Sequence, residues 1–535
     1  MDPRLLLPRV RQLAGEHKLF AGALAVGALL RLIVMLGYPG ALWFAGDSYV
    51  YVGAALRPQP NTSKATGYSF FLRALLPLHS FTLVTGLQHL MGLLVAVMIY
   101  VLLRRNGVSK TWSAVATLPQ LLDGYIIEDE HLIMAESLFT FMLMLATLLL
   151  LWRPRPAWWT AVVAGLLVGA AAVVRTEGEV MLAVIPLFLL LRGWSWKTLR
   201  GWAMAIVFAV ASLIPVGAYA TWFHERNGHY DLTMSTGFYT WGRVSSFANC
   251  DIVKPTGEEA TVCPTQPIGD RTPPGDYIWH APYVHADMDA ICTVSTKNGK
   301  VVGKNCGPVS PAGNQVLTDF AIKAVEAQPL DYAKTVVKGV SLSFGFPRIG
   351  YPDAGTTYYY SFHLHFVGSD AATGKHVSLL PPNNPAHEWV PGGTAYGDWL
   401  TYGHQVPGVV RKVFAAPIAL YQRVVFTYGP LLAVIFVIGL GGVFEVRRHG
   451  WRVRSFRLRW APRGTSMLPW VSAAALLVAP IAVADFDYRY LIPVIPFASL
   501  AAGLAFAPRR RTAVPGDPAS APSPAVASEV PDAVS

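Results

Sequence analysis

The chain alternates long apolar runs with short polar segments. Apolar runs lie near residues 18–38, 81–103, 111–127, 135–152, 158–174, 179–193, 201–222, 422–445, 468–485 and 488–507. Most reach the roughly 20 residues that a helix needs to cross a bilayer. One polar stretch, about 223–417, is far longer than the rest. The pattern predicts a mainly α fold: a polytopic transmembrane bundle of about ten spans. A mixed helix–strand domain is inserted before the last three spans. The expected divisions are a membrane core over 1–222 with a first outer loop at 39–80, the inserted domain at 223–417, further membrane helices at 418–507, and a tail at 508–535. That tail is rich in Ala, Pro and Ser and is expected to be disordered. The first run follows Arg9, Arg11 and Lys18 without a clean cleavage site, so it reads as a retained signal anchor.

Composition agrees. Hydrophobic residues make up 53% of the chain and charged residues 14%, where a soluble domain carries roughly 25% charge. The net charge of +11 does not call for nucleic acid, because much of it sits in short loops between spans. With the N-terminus inside, the basic segments 104–110, 153–155, 192–200 and 446–466 all fall on one side, the last with seven arginines (Arg447, Arg448, Arg452, Arg454, Arg457, Arg459 and Arg463). Arg509, Arg510 and Arg511 join them, as the positive-inside rule requires. Both termini are then cytoplasmic and 223–417 lies outside the cell membrane. All four cysteines (Cys250, Cys263, Cys292 and Cys306) fall in that outer stretch, which suits an oxidising compartment. Their spacing suggests 250–263 and 292–306 pairs among three connectivities. Zinc is the weaker reading, since no CxxC or His spacing supports it.

The polar residues at the outer ends of the spans carry the candidate chemistry. Asp47 is the only carboxylate between Glu16 and Asp123, in Gly46-Asp47-Ser48-Tyr49. It could serve as general base for an acceptor hydroxyl or cap a helix starting at Ser48. Apolar spacing over 49–56 and 68–78 predicts two helices lying along the interface. A second cluster, Glu128-Asp129-Glu130-His131 with Glu136, falls outside between the third and fourth spans. It could orient a sugar, hold a divalent cation such as Mg, Mn or Ca, or form a solvated acidic turn. Lys64, Arg73, Arg175 and Arg489 are basic residues on the outer side, where topology does not explain them. They suit an anionic head group such as a lipid phosphate. Local ion pairs are the plainer account of two: Arg175 with Glu177 or Glu179, and Arg489 with Asp485 or Asp487. Lys64 has no acid beside it in sequence. In the outer stretch, 315–340 reads as one amphipathic helix, His363 and His365 as neighbours on one strand face, and the other histidines as ordinary polar residues.

Three motifs, in order and on one side, carry a resemblance: Gly46-Asp47-Ser48-Tyr49 with Gly67-Tyr68 and Phe71-Leu72; Glu136-Ser137-Leu138-Phe139-Thr140; and Tyr488-Arg489-Tyr490 with Pro493 and Pro496. The chain resembles the GT-C superfamily of membrane glycosyltransferases, in the branch with the protein O-mannosyltransferases, the aminoarabinose transferase and related actinobacterial enzymes. The resemblance covers about 18–222 and 422–507. It implies a polyprenyl-phosphate sugar donor, inverting transfer to a glycan, lipid or protein acceptor, Asp47 as the catalytic acid, and Lys64, Arg175, Arg489 and Tyr488 about the donor phosphate. Family members often pair two acids in the first loop. Here Ser48 follows Asp47, which departs from a metal-bridging pattern. The aromatic segment 237–243 is a candidate for stacking on an acceptor glycan. A transporter or flippase of a lipid-linked sugar is the rival class, since it too would have many spans and buried charges. A receptor-like scaffold is a third.

Overall fold

A computed structural model describes residues 15–44, 46–280, 291–297, 300–369, 376–378, 390–404, 409–444 and 465–508. The arginine-rich segment 446–464, Arg509 to Arg511 and the tail beyond them, Arg9, Arg11 and His285 lie outside the described residues.

The described chain is mainly helical. In order come α1 (Lys18–Gly37), α2 (Asp47–Leu56), α3 (Gly67–Leu75), α4 (Phe81–Arg105), α5 (Lys110–Val115), α6 (Leu118–Leu122), α7 (Gly124–Asp129), α8 (Glu136–Leu151), α9 (Trp158–Val174), α10 (Glu179–Leu191) and α11 (Leu199–Asn227). The outer stretch supplies α12 (Thr236–Ser245), α13 (Cys250–Val253), α14 (Pro274–His280), the hairpin β1 (Cys292–Lys297)–β2 (Lys300–Cys306), α15 (Pro311–Ala327), α16 (Pro329–Leu342), α17 (Ala354–Tyr359), the hairpin β3 (Val367–Ser369)–β4 (His376–Ser378) and α18 (Ala395–Gly403). Then follow α19 (Lys412–Val424), α20 (Gly429–Val443), α21 (Met467–Val483) and α22 (Leu491–Leu504).

Among the described residues, α1, α4 and α11 are each long and apolar enough to cross a membrane. The pair α19–α20 passes only together, bent by 59°. The segments α8, α9, α21 and 488–504 are apolar but shorter. The run at 111–127, expected as one span, is three short helices. Pro119 opens α6, and the Asp123 side chain accepts from the amides of Tyr125 and Ile126, starting α7 afresh. The run at 422–445 likewise starts earlier than its hydropathy suggested, because α19 bends before α20 at 425–428.

Small residues bring the helices together. Gly165 and Gly169, four apart on α9, lie so close to Phe208 and Ser212 of α11 that a Cβ on either would collide with backbone. This is the small-residue spacing that lets membrane helices approach closely. The main core runs through Phe139, Leu143, Ala164, Val168, Phe208, Leu476 and Val494. The stretch 223–417 has its own core, with Phe238, Trp241, Phe247, Leu317 and Phe320 at its centre. There the single helix expected over 315–340 is two, α15 and α16. The break falls at Gln328-Pro329, since proline disfavours a helical residue before it. Cys250 and Cys263 form a disulfide. Cys292 and Cys306 stand opposite each other in the β1–β2 register; their side chains lie outside the described residues. His363 and His365 are not on a strand. The His363 ring stacks on Tyr358, 3.7 Å between centroids.

Candidate functional site

Gly46, at φ 81°, turns the chain into α2 so that Asp47 is its first residue. No side chain caps this helix, Asp47 included. The carboxylate instead holds two cations. Its Oδ1 lies 2.7 Å from Lys64 Nζ and its Oδ2 2.7 Å from Arg489 Nη1. Asp47 is 7% exposed, so both pairs are shielded from bulk water. Burial pushes the carboxyl up, but Lys64 and Arg489 outweigh it and hold it at about 2, against an ordinary 3.8.

Local structure positions both cations. The Asn61 side chain accepts from the amides of Ser63 (2.9 Å) and Lys64 (3.3 Å) and from the Ser63 hydroxyl (2.7 Å), which folds the loop back on itself. The amide of Met234 donates to the Thr62 carbonyl at 2.6 Å, tying that loop to the outer stretch. Arg489 stands in a 3₁₀ turn before α22. Asp487 accepts from its amide at 3.1 Å and faces its Nε at 3.3 Å. Tyr360 donates to Asp487 at 2.8 Å, which fixes the carboxylate.

A third cation completes the rim. Arg175 pairs with Glu177 (Nη2 to Oε1, 2.6 Å) and with Glu136, the first residue of α8. Burial raises the Glu177 carboxyl, but Arg175 brings it down to about 2. A cavity of about 360 Å3 opens onto Asp47, Tyr51, Lys64, Arg175, Glu177, Tyr239, Arg489 and Tyr490. Beside it, and sharing Val174, an apolar groove of about 550 Å3 runs between α3, α8, α9 and α11. Phe70, Phe71, Leu138, Met142, Pro215 and Trp222 wall it.

The acidic cluster is buried and divided, not a solvated turn. Glu130 turns away from the cavity to Arg31, with both guanidinium contacts at 2.7 Å, and to His89 at 2.9 Å. His89 Nε2 meets His131 Nδ1 at 3.1 Å, and His131 Nε2 reaches the Tyr38 carbonyl at 2.8 Å. Glu128 and Asp129 are buried and find no hydrogen-bond partner among the described residues. Burial, reinforced by neighbouring carboxylates, pushes both well above the usual range. Among the described residues, no three His, Cys, Asp or Glu side chains converge as the ligands of a metal would. Arg31 and His89 engage Glu130, the acid between Asp129 and His131 in sequence, so the cluster does not present a joint donor set.

Three placements differ from expectation. Lys64 has its acid after all, in Asp47. Tyr488 faces away from the Asp47 cavity: its hydroxyl accepts from the Ile349 amide at 3.0 Å, and Tyr490 lines the cavity in its stead. In 237–243, Phe238 and Trp241 are buried in the outer core and Arg243 pairs with Asp485 at 3.3 Å, which leaves Tyr239 facing the cavity. The local ion pairs expected from sequence, Arg175 with Glu177 and Arg489 with Asp487, both form. Sequence reading passed over Tyr51 and Tyr360, which left no signal.

No family model matches the chain, and no curated protein does. The chain shows similarity to two solved structures of membrane glycosyl-group transferring proteins. One is the protein O-mannosyltransferase Pmt1–Pmt2 complex of S. cerevisiae bound to the sugar donor, at 14% identity and a TM-score of 0.33, covering 43% of this chain and 36% of that one. The other is the Archaeoglobus fulgidus oligosaccharyltransferase tethered to an acceptor peptide, at 12% identity and a TM-score of 0.28, covering 90% of this chain and 55% of that one. The chain thus spans little more than a third of the first and about half of the second. Likenesses of this size assign no residue a role.

Proposed function

We propose that the protein is an inverting membrane glycosyltransferase that takes a sugar from a polyprenyl-phosphate donor on the extracytoplasmic side of the cell membrane. The observation that carries this reading is Asp47 clamped between Lys64 and Arg489 on a cavity that adjoins an apolar groove. The groove suits a polyprenyl chain, and the three cations beside it suit the phosphate at the chain's end.

In this reading the resting site is a latch. A carboxyl held at about 2 is a poor base at neutral pH. When the donor phosphate enters, it competes with Asp47 for Lys64 and Arg489. The freed carboxylate becomes more basic, so substrate binding itself prepares the base. The acceptor hydroxyl then gives its proton to Asp47. Its oxygen forms a bond to the anomeric carbon as the bond from that carbon to the phosphate oxygen breaks. The phosphate leaves with the electron pair, and Lys64, Arg489 and Arg175 stabilise its growing charge. One displacement inverts the anomeric centre.

The acceptor has a place to approach. A second cavity, of about 330 Å3, is walled by Tyr125, Tyr358, Tyr360 and Tyr488. Tyr360 belongs to both regions through Asp487 and Arg489, and aromatic faces of this kind suit a sugar ring.

The transporter reading draws on the buried charges of the Arg31 network, which lies inside the bundle. Those charges are already matched. Arg31 donates to Glu130 and to the carbonyls of Gly27, Gln120 and Leu121, which makes it a brace between α1, α6 and the turn after α7. The two classes separate on one assay: transfer of label from a radiolabelled polyprenyl-phosphate sugar by purified protein. Absence of transfer with any tested donor, alongside translocation of intact donor, would favour the transporter.

A further inference from the structure

The helices that frame the Asp47 cavity have another end. Glu136 and Val174 stand at the cavity ends of α8 and α9; Trp152 and Trp158 stand at their far ends. The 16 residues of α8 at a rise of about 1.5 Å separate the two ends by about 24 Å, close to the thickness of a bilayer's hydrocarbon core.

At that far end lies a cavity of about 680 Å3, formed where α4, α8 and α10 end and α11 begins. Four arginines line it: Arg105, Arg155, Arg192 and Arg200. Its lining holds no Asp or Glu, and among the described residues none of the four arginines pairs with a carboxylate. Backbone carbonyls anchor three of them instead. Arg105 donates to Trp152, Arg192 to Leu150 (3.1 Å) and Arg200 to Pro156 (3.3 Å). Each guanidinium carries five N–H donors, so most remain for a ligand. The Arg105 guanidinium also sits 4.4 Å from the Trp152 ring centroid. The next residues along the chain include exposed Trp158, Trp159 and Trp202, the side chains that collect at the head-group level of a membrane. Topology accounts for basic loops on one side, but it does not require them to converge on a walled cavity with no counter-charge among the described residues.

We propose that this cavity binds the phosphate head group of an anionic phospholipid in the leaflet opposite the Asp47 site. The tryptophan belt places the cavity at head-group depth, which favours a lipid over a soluble anion. Four unpaired guanidinium groups select a phosphate without a compensating cation. The proposal rests on the membrane setting alone and stands apart from the glycosyltransfer reading.

The test uses full-length protein in detergent, equilibrated with phosphatidylcholine vesicles that do or do not contain phosphatidylglycerol, with retained lipid read by mass spectrometry. Phosphatidylglycerol should be retained in preference to phosphatidylcholine. Inorganic phosphate at the same concentration should not displace it. Arg155→Gln with Arg200→Gln should weaken retention roughly thirtyfold, at about fivefold per basic residue, without changing the thermal unfolding profile. Arg155→Gln alone should give an intermediate loss if the double variant proves unstable. Asp47→Asn should retain the lipid as the wild type does. Equal retention of both lipids, displacement by inorganic phosphate, or undiminished retention in every arginine variant would overturn the proposal.

Discussion

Replacing Asp47 by asparagine separates the latch from the base. The fall of its carboxyl from an ordinary 3.8 to about 2 corresponds to roughly 2 kcal/mol favouring the charged form. Burial acts against that figure, so the pull of Lys64 and Arg489 on the carboxylate is at least as large. In the wild type an incoming phosphate must replace that interaction. In Asp47→Asn it does not, so the donor should bind tighter, by roughly tenfold or more. Chemistry should suffer, since removing a general base costs about a hundred- to ten-thousandfold. The variant therefore lowers kcat and lowers KM for the donor together. Steady-state transfer from a labelled polyprenyl-phosphate sugar, with donor binding measured separately, reads both. Near-normal kcat would refute Asp47 as the base. Lost kcat with weakened donor binding would refute the latch. A thermal unfolding scan accompanies the assay, because two cations left facing each other destabilise the fold by about 2–3 kcal/mol, below the full cost of breaking a deeply buried pair.

Lys64→Gln should raise the donor KM by roughly tenfold or more while leaving the protein folded, checked by the same kinetics. Ala218→Phe, placed in the apolar groove beside Tyr219 and Trp222, should raise KM for a long polyprenyl donor and spare a short-chain analogue; equal effects on both would remove the groove from the site. Glu130→Gln should lower thermal stability by about 3 kcal/mol, because it leaves the buried Arg31 guanidinium without its counter-charge. Asp47 and Glu177 both sit at about 2 in the folded chain, below ordinary values of 3.8 and 4.5. Their contribution to stability is therefore complete above about pH 5 and drains away as pH falls toward 2, which melting temperatures across an acid series would show. Glu128 has the opposite sign. Its carboxyl is raised on folding, so Glu128→Gln should be stabilising at neutral pH, with an advantage that shrinks as pH falls toward 4.5.

Hydropathy located the long helices well, since α4 and α11 begin and end within about five residues of the apolar runs that announced them. It failed where apolar composition hid a break. The run at 111–127 is continuous in hydrophobicity, yet Pro119 and Asp123 restart the helix twice. The candidate site was legible as single residues. Asp47, Lys64, Arg175 and Arg489 were each visible as charges in places where a bare charge is costly. Their pairing was not. Lys64 read as a cation free for a phosphate because its own neighbours offer no acid, yet its partner lies 17 positions earlier across a folded loop. The acidic quartet read as a unit because its members adjoin in sequence. The tight turn after α7 points Glu130 to Arg31 and leaves Glu128 and Asp129 buried without partners, a division that only the backbone path reveals. The segment 237–243 misled for a related reason: aromatic richness marks a core as readily as a binding surface.

The two cations on Asp47 come from distant parts of the chain. Lys64 emerges with the first outer loop, whereas Arg489 follows 442 residues after Asp47. During synthesis the first helices therefore enter the membrane with the carboxylate held on one side only. The site is finished when α22, the last helix among the described residues, docks and brings Arg489 to it. On the proposed function, a chain that stalls or is cut before that helix should insert and span the bilayer yet transfer no sugar, so activity would double as a record that assembly reached its end.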